Sequence, residues 1–542
     1  MLSIYIEGTS IDKMINNPDR FTLVNMMSGS MSTDVDSIGT APESTFTISD
    51  SDVGPQSITS AFAQVISDLQ DESIESSNMI QIDGWISDNS RNAVHARVLV
   101  SDDYPHIAMM AKAMLYPMHR SDTFTAPEIT VICTPGFSTP RVRKPTSGGF
   151  TRFMSNTLIL VDSDDEHTTR VMGTDSFGEV RAALIRSWSD IMADKGSIAL
   201  NASLKSTSDK DGTTRTVAFV GESNSGKTTL SMFGESVLGD DKIIQDDYFA
   251  LNHDGTSSGL ESSVFTRTYD IDEANTIVRK ELENPENLSE NIDSGGSIIL
   301  PRSQLGGRAF DTRKMGEIVT DIFFLSKLDG VKPPIQRLTV EQAVAAFATD
   351  ACTNDLTSES PASQSARLYE MLRANPEINL YSMNTGSTCE GLCNTSSEES
   401  MAIVRAVLNN NIMWSKCPHL GIETCMHEIP GLPIQVMNPK VGYLRDYRGN
   451  EYEALCGIYV DSRVEKLASI SYENKDVIDA ISTVEPVFRL NLAHKIANEA
   501  GDKSFLNEDT GQIERTESSY WRQGYCCGDP EGNNCKYCPW KD

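Results

Sequence analysis

The chain has 542 residues, too many for a single hydrophobic core, so two or more domains are expected. Hydrophobic residues make up 39%, enough for packed cores, and no run of about 18 apolar residues offers a membrane span. With 77 acidic against 46 basic residues the net charge is −31. Such a surface repels a phosphate-rich polymer, which argues against nucleic acid as a partner. The opening MLSIYIEGTSIDKM lacks the charged-then-apolar layout of a secretory signal, so a cytoplasmic protein is expected.

Residues 1–77 read as a polar, partly flexible segment, because 28–60 are rich in Ser, Thr and Asp. Residues 78–205 read as an N-terminal α/β domain. There AVHARVLVS alternates as a strand does, and YPHIAMMAKAMLY has helical spacing. EITVICTPGF and NTLILVDS follow as strands, and SFGEVRAALIRSWSDIMADKG as an amphipathic helix that stops at Gly196. SIALNASLKS is expected to be extended.

Residues 206–500 read as a second domain. RTVAFVG is a strand, KTTLSMFGESVLG a helix, KIIQDDYFALN one strand carrying two aspartates, and VTDIFFLSK a buried strand. TVEQAVAAFATD is a helix, with Thr339 as its cap and Gln342 completing a capping box. SEESMAIVRAVLNN is a further helix. The elements alternate without a βαβ rhythm, so the expected class is α/β with mixed sheets. Residues 501–542 are a cysteine-containing tail.

Of eleven cysteines, seven lie between Cys133 and Cys456 and read as small buried hydrophobes of a reducing compartment. The other four are Cys526, Cys527, Cys535 and Cys538, two close pairs that could hold Zn²⁺. The first pair is adjacent rather than spaced by two, so a thiol-rich tail or a disulfide is the alternative.

The stretch VAFVGESNSGKTTLS carries the chemistry. Gly221, Glu222, Ser223, Asn224, Ser225, Gly226, Lys227, Thr228 and Thr229 fit the phosphate-binding loop pattern, with a strand before and a helix after. Its glycines let backbone N–H groups curl around phosphate oxygens, and the helix start adds positive potential. Lys227 can reach the outer phosphates and the Thr228 hydroxyl can ligate Mg²⁺. Such a loop needs an acidic metal partner from a neighbouring strand. Asp240-Asp241 and Asp246-Asp247 compete. Asp246 and Asp247 follow a strand, where carboxylates face the phosphate crevice, and are preferred.

Around this loop the chain resembles ATP-dependent phosphoenolpyruvate carboxykinases, from about residue 90 to residue 460. GESNSGKTTLS resembles that family's Gly-x-Ser-Gly-x-Gly-Lys-Thr-Thr-Leu-Ser. DIFFLSKLDGVKPPIQRLTVEQAVAAF resembles its strand, Gly-Val-x-Pro-Pro and following helix. YSMNTG resembles Val-Asn-Thr-Gly, EIPGLPIQVMNP resembles a Leu-Pro-Gly segment, and MGTDSFGEVRAAL resembles Gly-Thr-x-Tyr-x-Gly-Glu-Met-Lys-Lys-Gly. The spacing from Asp246-Asp247 to LESS is close to the family's spacing from Asp-Asp to Glu-Gly-Gly. The resemblance implies an N-terminal α/β domain and a nucleotide-binding C-terminal domain holding the loop. It also implies conversion of oxaloacetate and ATP to phosphoenolpyruvate and CO₂, with Mg²⁺ on the nucleotide and a second metal, usually Mn²⁺.

The departures from that pattern fall at functional positions. The family's metal-binding lysine aligns with Ala182, beside Arg181, and its metal-binding histidine with Asn201. Asparagine is a poor exchange for imidazole on Mn²⁺. A phosphate-clamping lysine becomes Arg267, which can still hold phosphate oxygens. The family's Gly-Arg-Ser-Pro-Lys-Asp signature is absent from the first 90 residues. A second substrate arginine would fall near Ser297, and an adenine-stacking arginine near Asn394. Arg141, Arg143 and Lys144 form a basic cluster that reads as surface, or alternatively as a site for an acidic substrate. His95, His106, His119 and His167 read as surface or core residues rather than replacement ligands.

Three functions follow from these residues. The expected one is ATP-dependent phosphoryl transfer to another acceptor, using Lys227, Asp246, Asp247 and Arg267. The alternatives are a genuine carboxykinase acting on a small acid, and a nucleotide-binding protein without catalysis.

Overall fold

The computed structural model describes most of residues 60–445, together with short segments before residue 60 and scattered residues up to 470. The longest internal stretches outside the description are 233–240, 268–296 and 302–316. The chain forms two compact units, residues 1–194 with 259–315, and residues 195–258 with 316–542. Among the described residues, no helix is long and apolar enough to cross a membrane.

The first unit is built on a mixed seven-stranded sheet. Its elements are β1 (Met14–Asn16), β2 (Phe46–Ser49), α1 (Ser60–Ser76), β3 (Met79–Ile86), β4 (Val94–Ser101), α2 (Pro105–Met114), β5 (Ile129–Thr134), β6 (Leu158–Val161), β7 (Thr168–Met172) and α3 (Phe177–Asp194). The strand order is β1-β3-β4-β5-β7-β6-β2. β3 and β4 are antiparallel, and β4, β5 and β7 run parallel. β3 and β4 are buried along nearly their whole length, as strands covered on both faces must be. Gly196, at φ 77°, stands just past α3, where glycine closes a helix without Cβ strain.

The reading of 1–77 as a polar segment is corrected in part. β1 pairs with β3 and β2 with β6, so both join the sheet. Helix α1 docks through polar contacts that composition does not reveal. Gln70 Nε2 donates to Thr134 Oγ1 at 2.8 Å, and Arg170 pairs with Asp71 at 2.7 Å. Long-range pairing supplies what the local sequence lacks.

The second unit carries a mixed ten-stranded sheet. Its strands are β8 (Ile198–Ser208), β9 (Thr214–Val220), β10 (Lys242–Gln245), β11 (Tyr248–Leu251), β12 (Ser257–Gly259), β13 (Asp321–Ser326), β14 (Ile335–Arg337), β15 (Asn379–Asn384), β16 (Trp414–Lys416) and β17 (Glu423–Cys425). They run in the order β12-β11-β8-β9-β13-β15-β14-β17-β16, with β10 also on β8. A boundary drawn at 205/206 falls inside β8. That strand pairs along its length with β9, β10 and β11, which puts it with the second unit.

Helices α4 (Lys227–Met232), α5 (Val340–Ala346), α6 (Pro361–Ala374) and α7 (Ser397–Leu408) flank this sheet. The expected capping box at Thr339 and Gln342 is present, and Ser396 and Glu399 form a second one on α7. Each such cap stabilises its helix by about 1 kcal/mol. After α5 the chain continues as a π-helix, Phe347–Ala351.

β9, β13 and β15 are parallel neighbours, and Phe219, Phe323 and Tyr381 face one another across them. Their ring centroids lie 5.5 and 4.8 Å apart, and Trp414 extends the row at 5.9 Å from Tyr381. Met401, Val404 and Val407 of α7 seal the row into one core. This core fixes the three strands whose carboxyl ends carry the site.

Candidate functional site

β9 ends at Val220, and the glycine-rich loop begins at once. Gly221 N–H donates to the Asn201 carbonyl of β8 at 3.1 Å, which ties the loop's first residue to the sheet. A Cβ on Gly221 would stand 2.6 Å from Ser225 Oγ and 3.0 Å from the Leu325 carbonyl, so only glycine fits. The loop reverses through Asn224 at φ 66° and Gly226 at φ 96°. Asparagine and glycine are the residues that tolerate this left-handed region. α4 then starts at Lys227.

Lys227 is 5% exposed. Its ammonium donates to the carbonyls of Gly221 and Glu222, at 2.8 and 2.9 Å. The cation is therefore folded back onto the loop's own carbonyls. Ser225 is also buried, and its hydroxyl has no hydrogen-bond partner among the described residues. An unsatisfied buried hydroxyl is costly unless a ligand completes it. Glu222, Ser223 and Asn224 are exposed at the loop's crest, and Thr229 is half-buried on α4.

The stretch KIIQDDYFALN, expected as one strand, is two. β10 and β11 both pair with β8, whose register shifts between Leu204 and Lys205. Asp246-Asp247 is the step between them, and Asp247 at φ 68° breaks the extended run. The Asp247 carbonyl accepts from Ala202 N–H at 2.6 Å. Asp246 is fully buried, and its Oδ1 accepts from Ser203 Oγ at 2.8 Å. The Thr228 hydroxyl lies 3.2 and 3.3 Å from its two carboxylate oxygens.

The competing pair is placed differently. Asp241 is ion-paired with Lys205 at 2.5 Å and accepts from Thr207 Oγ1 at 2.6 Å, while Asp240 lies outside the described residues. The structure thus brings Gly221 to Thr229 together with Asp246 and Asp247. It does not bring Asp241 into contact with Thr228.

A third strand end completes the site. Thr385, just after β15, donates its hydroxyl to the Ser225 carbonyl at 2.7 Å. Neither Ser203 nor Thr385 is among the site residues expected from the sequence, although Thr385 lies in the YSMNTG stretch. Ser203 was signalled only by its place two residues after Asn201, on the same face of β8. Cys352 interacts electrostatically with Glu222. Burial, with the Glu222 charge adding to it, pushes its thiol up to about 12, so it is no nucleophile.

Other expected positions belong to the first unit. Arg267 ends the strand Ser263–Arg267, which pairs with Ser297–Pro301. Ala182 lies in α3, and its neighbour Arg181 donates to the buried Glu261 carboxylate at 2.7 Å. His95 Nε2 lies 3.3 Å from Asp83 Oδ1, in the core. His106 Nε2 lies 3.2 Å from the Asp175 carbonyl, and burial pushes its pKa down. Arg143 and Lys144 lie in a short hairpin strand. Arg141, His119 and the tail cysteines Cys526, Cys527, Cys535 and Cys538 lie outside the described residues. Among the described residues, no three His, Cys, Asp or Glu side chains gather into a metal-holding group.

A family model described as phosphoenolpyruvate carboxykinase matches residues 42–356. A second model, of a family of unknown function, matches residues 493–542, which are outside the described residues. The phosphoenolpyruvate carboxykinase (ATP) of Geobacillus kaustophilus is 23% identical over 353 residues, covering 58% of this chain and 64% of that protein. That of Novosphingobium aromaticivorans is 25% identical over 371 residues, covering 60% and 65%. Phosphoenolpyruvate carboxykinase (ATP) 2 of Moorella thermoacetica is 25% identical over 412 residues, covering 67% and 72%. The match therefore spans slightly less than two thirds of the length of the first two proteins. The family model covers more than half of this chain, and the mixed α/β architecture agrees with it: the chain belongs to the phosphoenolpyruvate carboxykinase (ATP) family.

Proposed function

We propose that the protein transfers the γ-phosphoryl group of ATP, held with Mg²⁺ on the loop Gly221–Thr229, to an acceptor other than oxaloacetate. The observation that carries this reading is the Thr228 hydroxyl set against the Asp246 carboxylate beside the loop. Both are hard oxygen donors, suited to Mg²⁺. The buried Ser225 hydroxyl, which has no hydrogen-bond partner among the described residues, suits a phosphate oxygen. Mg²⁺ bound with the nucleotide would neutralise charge on the phosphate oxygens.

The chain's own residues divide the remaining work. Lys227 turns from the loop carbonyls toward the phosphates and balances charge as the bond to the leaving ADP oxygen breaks. Asp246, kept in place by Ser203, would hold the Mg²⁺. Asp247, half-buried and next in the chain, takes the proton of the acceptor hydroxyl as its oxygen bonds to phosphorus. Phosphoryl transfer asks for little beyond this positioning and charge neutralisation. Arg267 is assigned no step.

The acceptor is proposed to differ because the second metal site of the resemblance does not fit. Ala182 offers no ligand atom, and Asn201 replaces an imidazole with a weaker donor. Family membership favours a second reading, in which oxaloacetate remains the substrate and other residues hold its metal. Calorimetric titration with Mg·ATP tests the shared part of both. The wild type should bind, and Thr228→Ala should bind ATP with its Mg²⁺ dependence weakened. Equal Mg²⁺ dependence in the two proteins would remove the assignment.

A further inference from the structure

We propose that Thr385 is a positioning residue that orients the phosphate-facing amides of the loop, a role that rests on reading Gly221–Thr229 as the ATP site. The Thr385 hydroxyl has one proton and two carbonyls in reach, Ser225 at 2.7 Å and Ser326 at 3.3 Å. The Ser326 carbonyl already accepts the Thr385 backbone N–H at 2.8 Å. The shorter distance and this prior pairing send the hydroxyl proton to Ser225.

That single bond fixes a whole peptide plane. In a trans peptide the carbonyl of one residue and the N–H of the next point in opposite directions. Holding the Ser225 carbonyl toward Thr385 therefore aims the Gly226 N–H the other way. This plane lies between Asn224 and Gly226, two residues at positive φ, where the backbone has no helix or strand to hold it. The carbonyls of Gly221 and Glu222 are held by Lys227, and the Ser225 N–H donates to the Glu222 carbonyl at 3.2 Å, but the Ser225 carbonyl lies on the next peptide plane. Thr385 holds that carbonyl from beyond the end of a separate strand.

Thr385 is itself immobilised by its neighbours. Asn384 is fully buried, and its Oδ1 accepts from Leu328 N–H at 3.0 Å and Gly386 N–H at 3.1 Å. Its Nδ2 donates to the Lys332 carbonyl at 3.2 Å. Gly386 packs so closely that a Cβ there would stand 2.5 Å from the Leu328 carbonyl oxygen. A Thr385 methyl contact also lies 3.6 Å from where a Cβ on Gly226 would be. The Asn384-Thr385-Gly386 turn is thus a rigid post, and the loop is fastened to it by one hydroxyl.

The test compares Thr385→Val, which keeps shape and loses the donor, with Thr385→Ser, which keeps the donor. Amide hydrogen exchange of the peptide spanning 221–229 is followed without nucleotide, and Mg·ATP affinity is measured by calorimetry. Thr385→Val should exchange about tenfold faster in that peptide and bind Mg·ATP about tenfold more weakly, the scale of one lost hydrogen bond. Thr385→Ser should restore both. Unchanged exchange in Thr385→Val, or equal loss in the serine variant, would overturn the proposal. Faster exchange only in the valine variant, with no Mg·ATP binding by the wild type, would support the hold on the loop and overturn the nucleotide reading instead.

Discussion

The Thr228 hydroxyl lies 3.2 Å from one oxygen of the Asp246 carboxylate and 3.3 Å from the other, although eighteen residues separate them in the chain. Asp246 is fully buried, and its Oδ1 also accepts from Ser203 Oγ. A carboxylate is a hard oxygen donor, suited to Mg²⁺. Asp246→Asn keeps the shape and the Ser203 contact while removing the charge. It should lower phosphoryl transfer by about a hundredfold, the scale of losing one preorganised electrostatic group. Steady-state rates at saturating Mg·ATP check this, and a rate within twofold of the wild type would contradict it.

Much of this arrangement was legible in the sequence, and the rest was not, for physical reasons. The loop was readable because Gly221, Gly226, Lys227 and Thr228 are set by local backbone geometry. The strands ending at Val220 and Ser326 were readable as apolar runs buried on both faces. The break between Gln245 and Tyr248 was not, because it depends on the register shift in the partner strand at Leu204. The contribution of 1–77 to the first sheet was hidden for a similar reason. β1 and β2 have three and four residues, and they take their conformation from Met79–Gln81 and Leu158–Val161. Thr385 lies in the YSMNTG stretch that resembles a family motif, but its contact with Ser225, 160 residues away, and that of Ser203 with Asp246, 43 residues away, are not written in any local pattern.

Gly221 offers a steric test of the loop. Ser225 Oγ could rotate away from an added Cβ, but the Leu325 carbonyl is backbone and cannot. Gly221→Ala should therefore displace the loop and weaken Mg·ATP binding by about tenfold or more, since the methyl must be accommodated by backbone movement. Titration calorimetry reads the affinity. Undiminished binding would show that the loop's first residue does not govern its shape.

A buried ionic cluster supports the same unit. Lys332 Nζ donates to Ser326 Oγ at 2.7 Å and to Asp350 Oδ2 at 2.8 Å, and Arg463 lies 3.6 Å from the same oxygen. Burial alone would raise the Asp350 carboxyl, but the Lys332 and Arg463 charges outweigh it and hold it at about 2. Asp350→Asn removes the buried carboxylate that Lys332 and Arg463 face and should cost about 3 kcal/mol at neutral pH. Because the folded value lies below the unfolded one of about 3.9, the stabilisation is present above that value and is lost as pH falls toward 2. Urea unfolding of both proteins at neutral pH and at about pH 3 checks this. The gap should narrow on acidification, and a constant gap would contradict it.

The proposed reaction is ATP-dependent phosphoryl transfer at Lys227 to an acceptor other than oxaloacetate. The most direct measurement incubates the protein with ATP, Mg²⁺, Mn²⁺ and oxaloacetate, and follows ADP and phosphoenolpyruvate together, with Lys227→Ala as control. The expected result is slow ADP release that depends on Lys227, with water as the acceptor, and no phosphoenolpyruvate. Phosphoenolpyruvate formed in step with ADP would contradict it and establish the carboxykinase reaction. Absence of ADP from both proteins would contradict it in favour of nucleotide binding without catalysis.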